Sequence, residues 1–402
     1  MLSASLIEQF FTSASIQRWN DYPRMVELVE LDKQAHKFII AFFIANMEEE
    51  KVNQVHLIEA GIFEFLRRGI VTDIRPDVFR QALQKKEKEI NKWVLAKLYD
   101  QLIDIEDGEF YSRFEKYLKD SNMYKKERFI LKAASYLATR WEFSIVYQTS
   151  KFLSGIDKVK EAVEEEIEDY YELIGVRKIA LNKKLAKIID LSGRLRFQKR
   201  WAQTPRIPET SVLGHMLIVA ILGYFYSTHI NACDKRIENN FYCALFHDLP
   251  EALTRDIISP VKYSVNGLDD IISEYEIKMI ENEILPFVPS HIAPYFKYLL
   301  GLYGDNEKDE FLNKINEKKI MVVDTLSTYN ENKYNAIDGV ALKNCDRLSA
   351  FIEAILSISH GVKSKELSQG KEFIKKTLKE KGKVDGVDFY KLALEIEDYV
   401  MG

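Results

Sequence analysis

Residues 245–257 read LFHDLPEALTRDI, and residues 62–74 read IFEFLRRGIVTDI. The two align without a gap, and the match extends outward in both directions. Upstream, Gln198-Lys199-Arg200-Trp201 repeats Ile16-Gln17-Arg18-Trp19. A Pro-Arg pair follows each (Pro205-Arg206, Pro23-Arg24), and then an apolar run opened by a histidine: GHMLIVAILGY from Gly214, AHKFIIAFFIA from Ala35. Downstream, LKNCDRLSAFIEAIL (342–356) matches LKAASYLATRWEFSI (131–145). Identity is low, but order and spacing persist. A collinear repeat of this length predicts a duplicated unit. The boundary then lies near residues 150–185: a first domain over 1–150, a helical connector over 151–185 and a second domain over 186–402.

Helical periodicity dominates both copies. Residues 78–105 and 156–190 are charged and free of proline, and the second stretch spaces its apolar residues by three and four, as one buried stripe requires. The run Glu164-Glu165-Glu166 reads as a solvated face. The tail 371–400 has the same style, and alternating strand patterns are nearly absent. The expected class is all-α. The chain has 402 residues, of which 47% are hydrophobic and 30% charged, so it has ample material for a core and is no disordered chain. Gly (17) and Pro (9) are scarce, which excludes collagen-like and low-complexity designs. A net charge of −5 argues against a binder of extended nucleic acid. The apolar runs 38–45 and 216–226 are too short to span a bilayer and read as buried helices. Cys233, Cys243 and Cys345 form no paired framework, and the N-terminus lacks a basic, then apolar, leader; a reducing, cytoplasmic setting is expected.

The copies diverge in chemistry. The second has His247, Asp248 and Glu251 where the first has Glu64, Phe65 and Arg68; it has Asp346 where the first has Ser135. His36 is read as the counterpart of His215, and as a packed side chain. His215, His247, Asp248 and Asp346 therefore offer two imidazoles and two carboxylates on three helices that read as buried. Burying unpaired charge is costly, and one divalent cation is the simplest compensation. Mixed N/O ligands suit Mn, Fe, Co, Ni, Zn or Mg. Asp324, in KIMVVDTLS, is a rival for the last ligand.

With these residues in place, the second half resembles the HD-domain metal-dependent phosphohydrolases, whose ligand order is H…HD…D. Within them it is similar to the bacterial 5′-deoxynucleotidase branch. The resemblance is carried by Arg200-Trp201, by Pro208 to His215, by HDLPEALTRDIISPVKY (247–263) and by DGVALKNCDRLSAFIEA (338–354). It implies two tandem HD-like helical domains, the first degenerate. It also implies hydrolysis of deoxyribonucleoside 5′-monophosphates to nucleoside and phosphate. Glu251, four residues after His247 on one helix face, and Asp256 would serve the attacking water. Arg200 would clamp the phosphate, Trp201 would wall off the 2′-position of the sugar, and Lys262 would add positive charge. Single-unit relatives pair as homodimers, so the resemblance implies an intramolecular pseudo-dimer of the two halves. Two alternatives stay open: another nucleotide or phosphate ester as substrate, and a nucleotide-sensing regulatory module.

Overall fold

The computed structural model describes residues 2–72, 74, 76–255, 267–304 and 306–402. The chain falls into two compact units, Met1–Val176 and Arg177–Gly402. Both are built of helices, as the sequence predicts.

The first unit contains α1 (Ala4–Thr12), α2 (Glu30–Met47), α3 (Gln54–Val71), α4 (Pro76–Leu102), α5 (Glu109–Lys119), α6 (Lys125–Ser150) and α7 (Ile156–Glu165). Every residue of α2 from Glu30 to Ala45 is buried, charged ones included, so α2 is the central rod of this unit. It packs mainly against α6. The division between the units falls inside α8 (Ile174–Ala180). In the second unit, α9 (Lys184–Arg194) leads to a loop and then to α10 (Val212–His229), buried without a break from Val212 to Ser227. Helix α10 packs against α11 (Asp234–Phe246) and, further along the chain, α15 (Gly339–Ser359). The four-residue α12 (Glu251–Thr254), α13 (Leu268–Met279) and α14 (Ala293–Leu299) come between. The chain closes with α15 (Gly339–Ser359), α16 (Lys365–Lys381) and α17 (Phe389–Met401). Among the described residues only α10 is long and apolar enough to cross a membrane, and 89% of it is buried inside this fold.

One expectation needs correction. The stretch 156–190 is not one helix. It breaks after α7 and again between α8 and α9, where Asn182 takes a left-handed φ of 50°. Gly175, inside α8, lies where a Cβ would come within 2.6 Å of the Ile44 Cα, so the segment is moulded to α2 rather than to its own periodicity. Strands also occur. β1 (Leu302–Gly304) pairs antiparallel with β2 (Glu307–Lys308), and β3 (Asn313–Asn316) lies between β4 (Ile320–Val322) and β5 (Ile337–Asp338). Strands of two to four residues are too short to display alternation in a sequence.

The small sheet has a positional role. β5 runs directly into α15, and Asp338 at the junction is buried and held by Arg236 (Nε to Oδ2, 2.7 Å) and Asn240 (2.7 Å) from α11. Gly339 begins α15 so close to the 311–312 backbone that a Cβ would meet the Leu312 carbonyl oxygen at 2.2 Å. α15 is thus pinned at its start, which fixes the azimuth of everything it carries.

Candidate metal and catalytic site

Ser211 caps α10 by accepting from the Gly214 N–H at 2.9 Å, so His215 sits in the first turn of a buried helix. Its Nδ1 lies 3.0 Å from Ser349 Oγ and 3.7 Å from Glu353 Oε1; its Nε2 lies 3.1 Å from Asp346 Oδ1 and 4.0 Å from Asp248 Oδ2. His247 follows the last residue of α11. Its Nδ1 donates to the Ala244 carbonyl at 2.6 Å, which leaves the Nε2 lone pair facing Asp248 Oδ2 at 3.1 Å. Both imidazoles thus have Nδ1 held from behind and Nε2 turned toward carboxylates. That tautomer and orientation are what a ligating histidine needs.

Asp346 lies on α15, beside Lys343, whose Nζ donates to Oδ2 at 2.8 Å and covers the Phe311 ring at 4.1 Å. The four sequence-derived candidates His215, His247, Asp248 and Asp346 therefore meet at one place. The ligand atoms of His215, His247 and Asp346 all lie within 4.8 Å of one another. An ion with bonds of about 2.1 Å holds its ligand atoms about 3–4 Å apart, so the set needs only slight contraction. The buried His247 Nε2 faces Asp248 Oδ2 at 3.1 Å without hydrogen-bond alignment, an arrangement that a shared metal ion would complete. The donor set fits a divalent ion. Asp324, the rival, follows β4 and is not in this group; its carbonyl accepts from Asn313 at 3.1 Å.

Burial alone would push the carboxyls up, but their partners win. His247, His215 and Arg200 hold Asp248 well below the usual carboxylate range. Lys343 and His215 do the same for Asp346. Burial pulls the His247 imidazole down, and the adjacent Asp248 more than reverses it. Both aspartates are thus anionic and ready to ligate.

Arg200 and Trp201 lie in a loop that folds back on α10. Lys199 bridges Ser211, the Arg200 N–H reaches the Thr210 carbonyl at 3.0 Å, and the Val212 N–H reaches the Gln198 carbonyl at 2.9 Å. Trp201 takes a left-handed φ of 55°, which a bulky residue adopts only when its surroundings enforce it. Its indole Nε1 donates to Glu353 Oε2 at 2.9 Å. Gly370 makes room for the ring, since a Cβ there would come within 2.7 Å. Arg200 Nε lies 4.0 Å from the same carboxylate, with its side chain 16% exposed.

Glu251 departs from the expected arrangement. It does not share a helix with His247: α11 ends at Phe246, and a turn through Pro250 intervenes before α12. Proline lacks an N–H and disfavours helical geometry in the residue before it, so the HD pair ends a helix instead of lying within one. Glu251 is positioned through its backbone: its N–H reaches the Asp248 carbonyl at 3.0 Å and its carbonyl accepts from Gln198 Nε2 at 2.8 Å. Asp256 and Lys262 lie outside the described residues.

Sequence reading missed Glu353. Fully buried, its Oε2 faces Trp201, Arg200 and Arg206 Nη1 (3.6 Å), while its Oε1 accepts from Thr210 Oγ1 at 2.7 Å and faces His215. Arg206, His215 and Arg200 hold its carboxyl far below the usual range, against burial. One carboxylate thus couples the Arg-Trp loop to the first histidine. Its signal was present, because Asp346, Ser349 and Glu353 recur at three and four residues and so share one face of α15.

The HD-domain family model matches residues 192–375. The second half of the chain belongs to the HD superfamily. This HD domain is similar to 5′-deoxynucleotidases. The 5′-deoxynucleotidase YfbR of Escherichia coli O1:K1 is 28% identical over 123 residues, 29% of this chain and 60% of that protein. The 5′-deoxynucleotidase Ent638_2835 of Enterobacter sp. (strain 638) is 26% identical over 132 residues, 30% of this chain and 62% of that protein. The chain thus spans about 60% of the length of the curated relatives it matches.

Proposed function

We propose that the HD domain is a metal-dependent phosphohydrolase that converts deoxyribonucleoside 5′-monophosphates to nucleoside and phosphate. The observation that carries this reading is the convergence of two Nε2-presenting imidazoles with two ionised aspartates, beside the Arg200 guanidinium. His215, His247, Asp248 and Asp346 would hold one divalent ion. When bound, such an ion supplies Lewis acidity, easing deprotonation of water and polarising a phosphoryl oxygen.

The remaining work falls to the chain. Arg200 binds the phosphate bidentately and is held in line by Glu353. The Glu251 carboxylate takes a proton from the attacking water. The water oxygen bonds to phosphorus, the P–O5′ ester bond breaks, and the nucleoside leaves as its alcohol after taking up a proton. Asp256 is proposed as a second acid near the water, and Lys262 as a supplement to the phosphate charge. Trp201 is proposed to crowd the 2′-position of the sugar.

The test is phosphate release from a panel of deoxy- and ribonucleotides with added Mn, Co, Ni, Zn or Mg. Deoxyribonucleoside monophosphates are expected to be preferred. Asp248→Ala and Asp346→Asn should lose both metal and turnover with the helical signal intact, whereas Asp324→Ala keeps its metal. Glu251→Gln should keep metal and lose about 10²–10⁴ in turnover. Metal content unchanged in Asp248→Ala and Asp346→Asn sinks the ligand assignment, and a preference for ribonucleotides sinks the substrate.

A further inference from the structure

Asp346 presents its two oxygens to different partners. Oδ1 lies 3.1 Å from His215 Nε2, among the candidate ligand atoms. Oδ2 accepts from Lys343 Nζ at 2.8 Å. The two residues are three apart on α15, so one helix face carries both.

Lys343 is itself held in place. Its Nζ stands 4.1 Å from the centroid of the Phe311 ring, a cation–π contact, and that ring lies 5.7 Å from the His247 ring. Phe311 sits between β2 and β3, in a turn tied from two sides. Its N–H donates to Asp309 Oδ1 at 2.7 Å, and the buried Lys314 donates to the Asp309 carbonyl at 2.6 Å. The neighbouring Glu310 carboxylate is taken by Lys308 at 2.8 Å, and Lys308 also reaches Glu276 at 3.0 Å. Among the described residues, the carboxylate that Lys343 pairs with is Asp346.

A carboxylate ligates a cation through one oxygen or through both. Two imidazoles and two aspartates, giving one atom each, supply four ligand atoms, and hydrolysis needs a further position for water. A second oxygen from Asp346 would compete for that position. An ammonium bonded to Oδ2 prevents this and draws negative charge away from the aspartate.

We propose that Lys343 is a positioning residue: by holding Oδ2 it confines Asp346 to ligation through Oδ1, and Phe311 holds Lys343 to that place. The inference rests on the reading of His215, His247, Asp248 and Asp346 as metal ligands. Lys343 acts through Asp346 and not by touching substrate. Its removal frees Oδ2 and takes a positive charge from beside the ion. The ion is then held more tightly while turnover falls. Loss of a merely structural side chain would loosen the ion instead.

The experiment uses the full-length chain loaded with Co(II). The visible absorption spectrum reads the coordination number, competition with a chromogenic chelator reads affinity, and phosphate release from thymidine 5′-monophosphate reads kcat and KM. Lys343→Met should change the spectrum, tighten Co(II) by about 5-fold, the scale of one unit charge 4 Å away in water, and lower kcat about 10-fold. Lys343→Arg keeps the donor and the charge and should restore the parent spectrum. Phe311→Leu should shift the spectrum in the same sense as Lys343→Met, by less. The Lys343 side chain is 38% exposed, so the helical signal should persist; Lys343→Gln is read in the same way if Lys343→Met does not fold. An unchanged spectrum, or weakened Co(II) binding, overturns the proposal. So does a raised KM with kcat and spectrum unchanged, which would make Lys343 a phosphate ligand. Failure of the underlying reading shows separately, as metal retained in Asp346→Asn or as absence of phosphate release in the parent chain.

Discussion

At the scale of single residues, Glu353 ties the Arg-Trp loop to His215 without being one of the proposed metal ligands. A buried carboxylate facing Arg206, Arg200, Trp201 and His215 is stable only with all its partners in place. Glu353→Gln keeps the shape and removes the charge. Arg206, 1% exposed at its side chain, then loses its carboxylate. The expected loss is about 3–5 kcal/mol of stability, the usual result of removing one partner from a buried pair. His215 also loses the carboxylate behind its Nδ1. Metal affinity should therefore fall about 10- to 100-fold, as for other groups that orient a ligand from behind. Calorimetric unfolding measures the first effect and competition with a chromogenic chelator the second. Unchanged metal affinity in a folded Glu353→Gln protein would make Glu353 a packing residue only.

At the scale of elements, what was legible in the sequence followed one physical rule. Where a residue type by itself demanded a partner, the site was readable: histidine and aspartate on apolar helices pointed to one another, and His215, His247, Asp248 and Asp346 do converge. Where tertiary contact overrides local pattern, the reading failed. The 156–190 stripe breaks because its chain is moulded to α2 at Gly175. The HD pair ends α11 because of Pro250, which a periodicity count ignores. His36 was aligned with His215 by residue type, while the backbone register selects Lys33. The small sheet was invisible, yet it seats α15. Gly339→Ala tests that seat. A Cβ there would lie 2.2 Å from a backbone oxygen, so the start of α15 must move. The expected cost is about 1–3 kcal/mol, the usual range for overpacking. Because Asp346 is two turns along the same helix, metal affinity should drop as well. A loss of stability with metal binding intact would show that α15 is positioned by its later turns.

At the scale of the whole molecule, the first unit shares the repeat pattern of the second but not its candidate ligands. Helix α2 is buried from Glu30 to Ala45 and Trp19 bonds Glu142 as Trp201 bonds Glu353, while Phe65, Arg68 and Ser135 stand at the positions that align with Asp248, Glu251 and Asp346. Conservation of packing with conversion of chemistry is what a partner role requires. We propose that residues 1–176 serve the HD domain as a covalently attached second unit, in the manner of a dimer partner at high effective concentration. Residues 177–402 expressed alone decide this. The proposal expects a fragment that is insoluble, or that self-associates and turns over at least 10-fold more slowly, with activity recovered when residues 1–176 are supplied in trans. Size-exclusion chromatography and phosphate release read the two parts separately. A monomeric fragment with full turnover overturns the partner role.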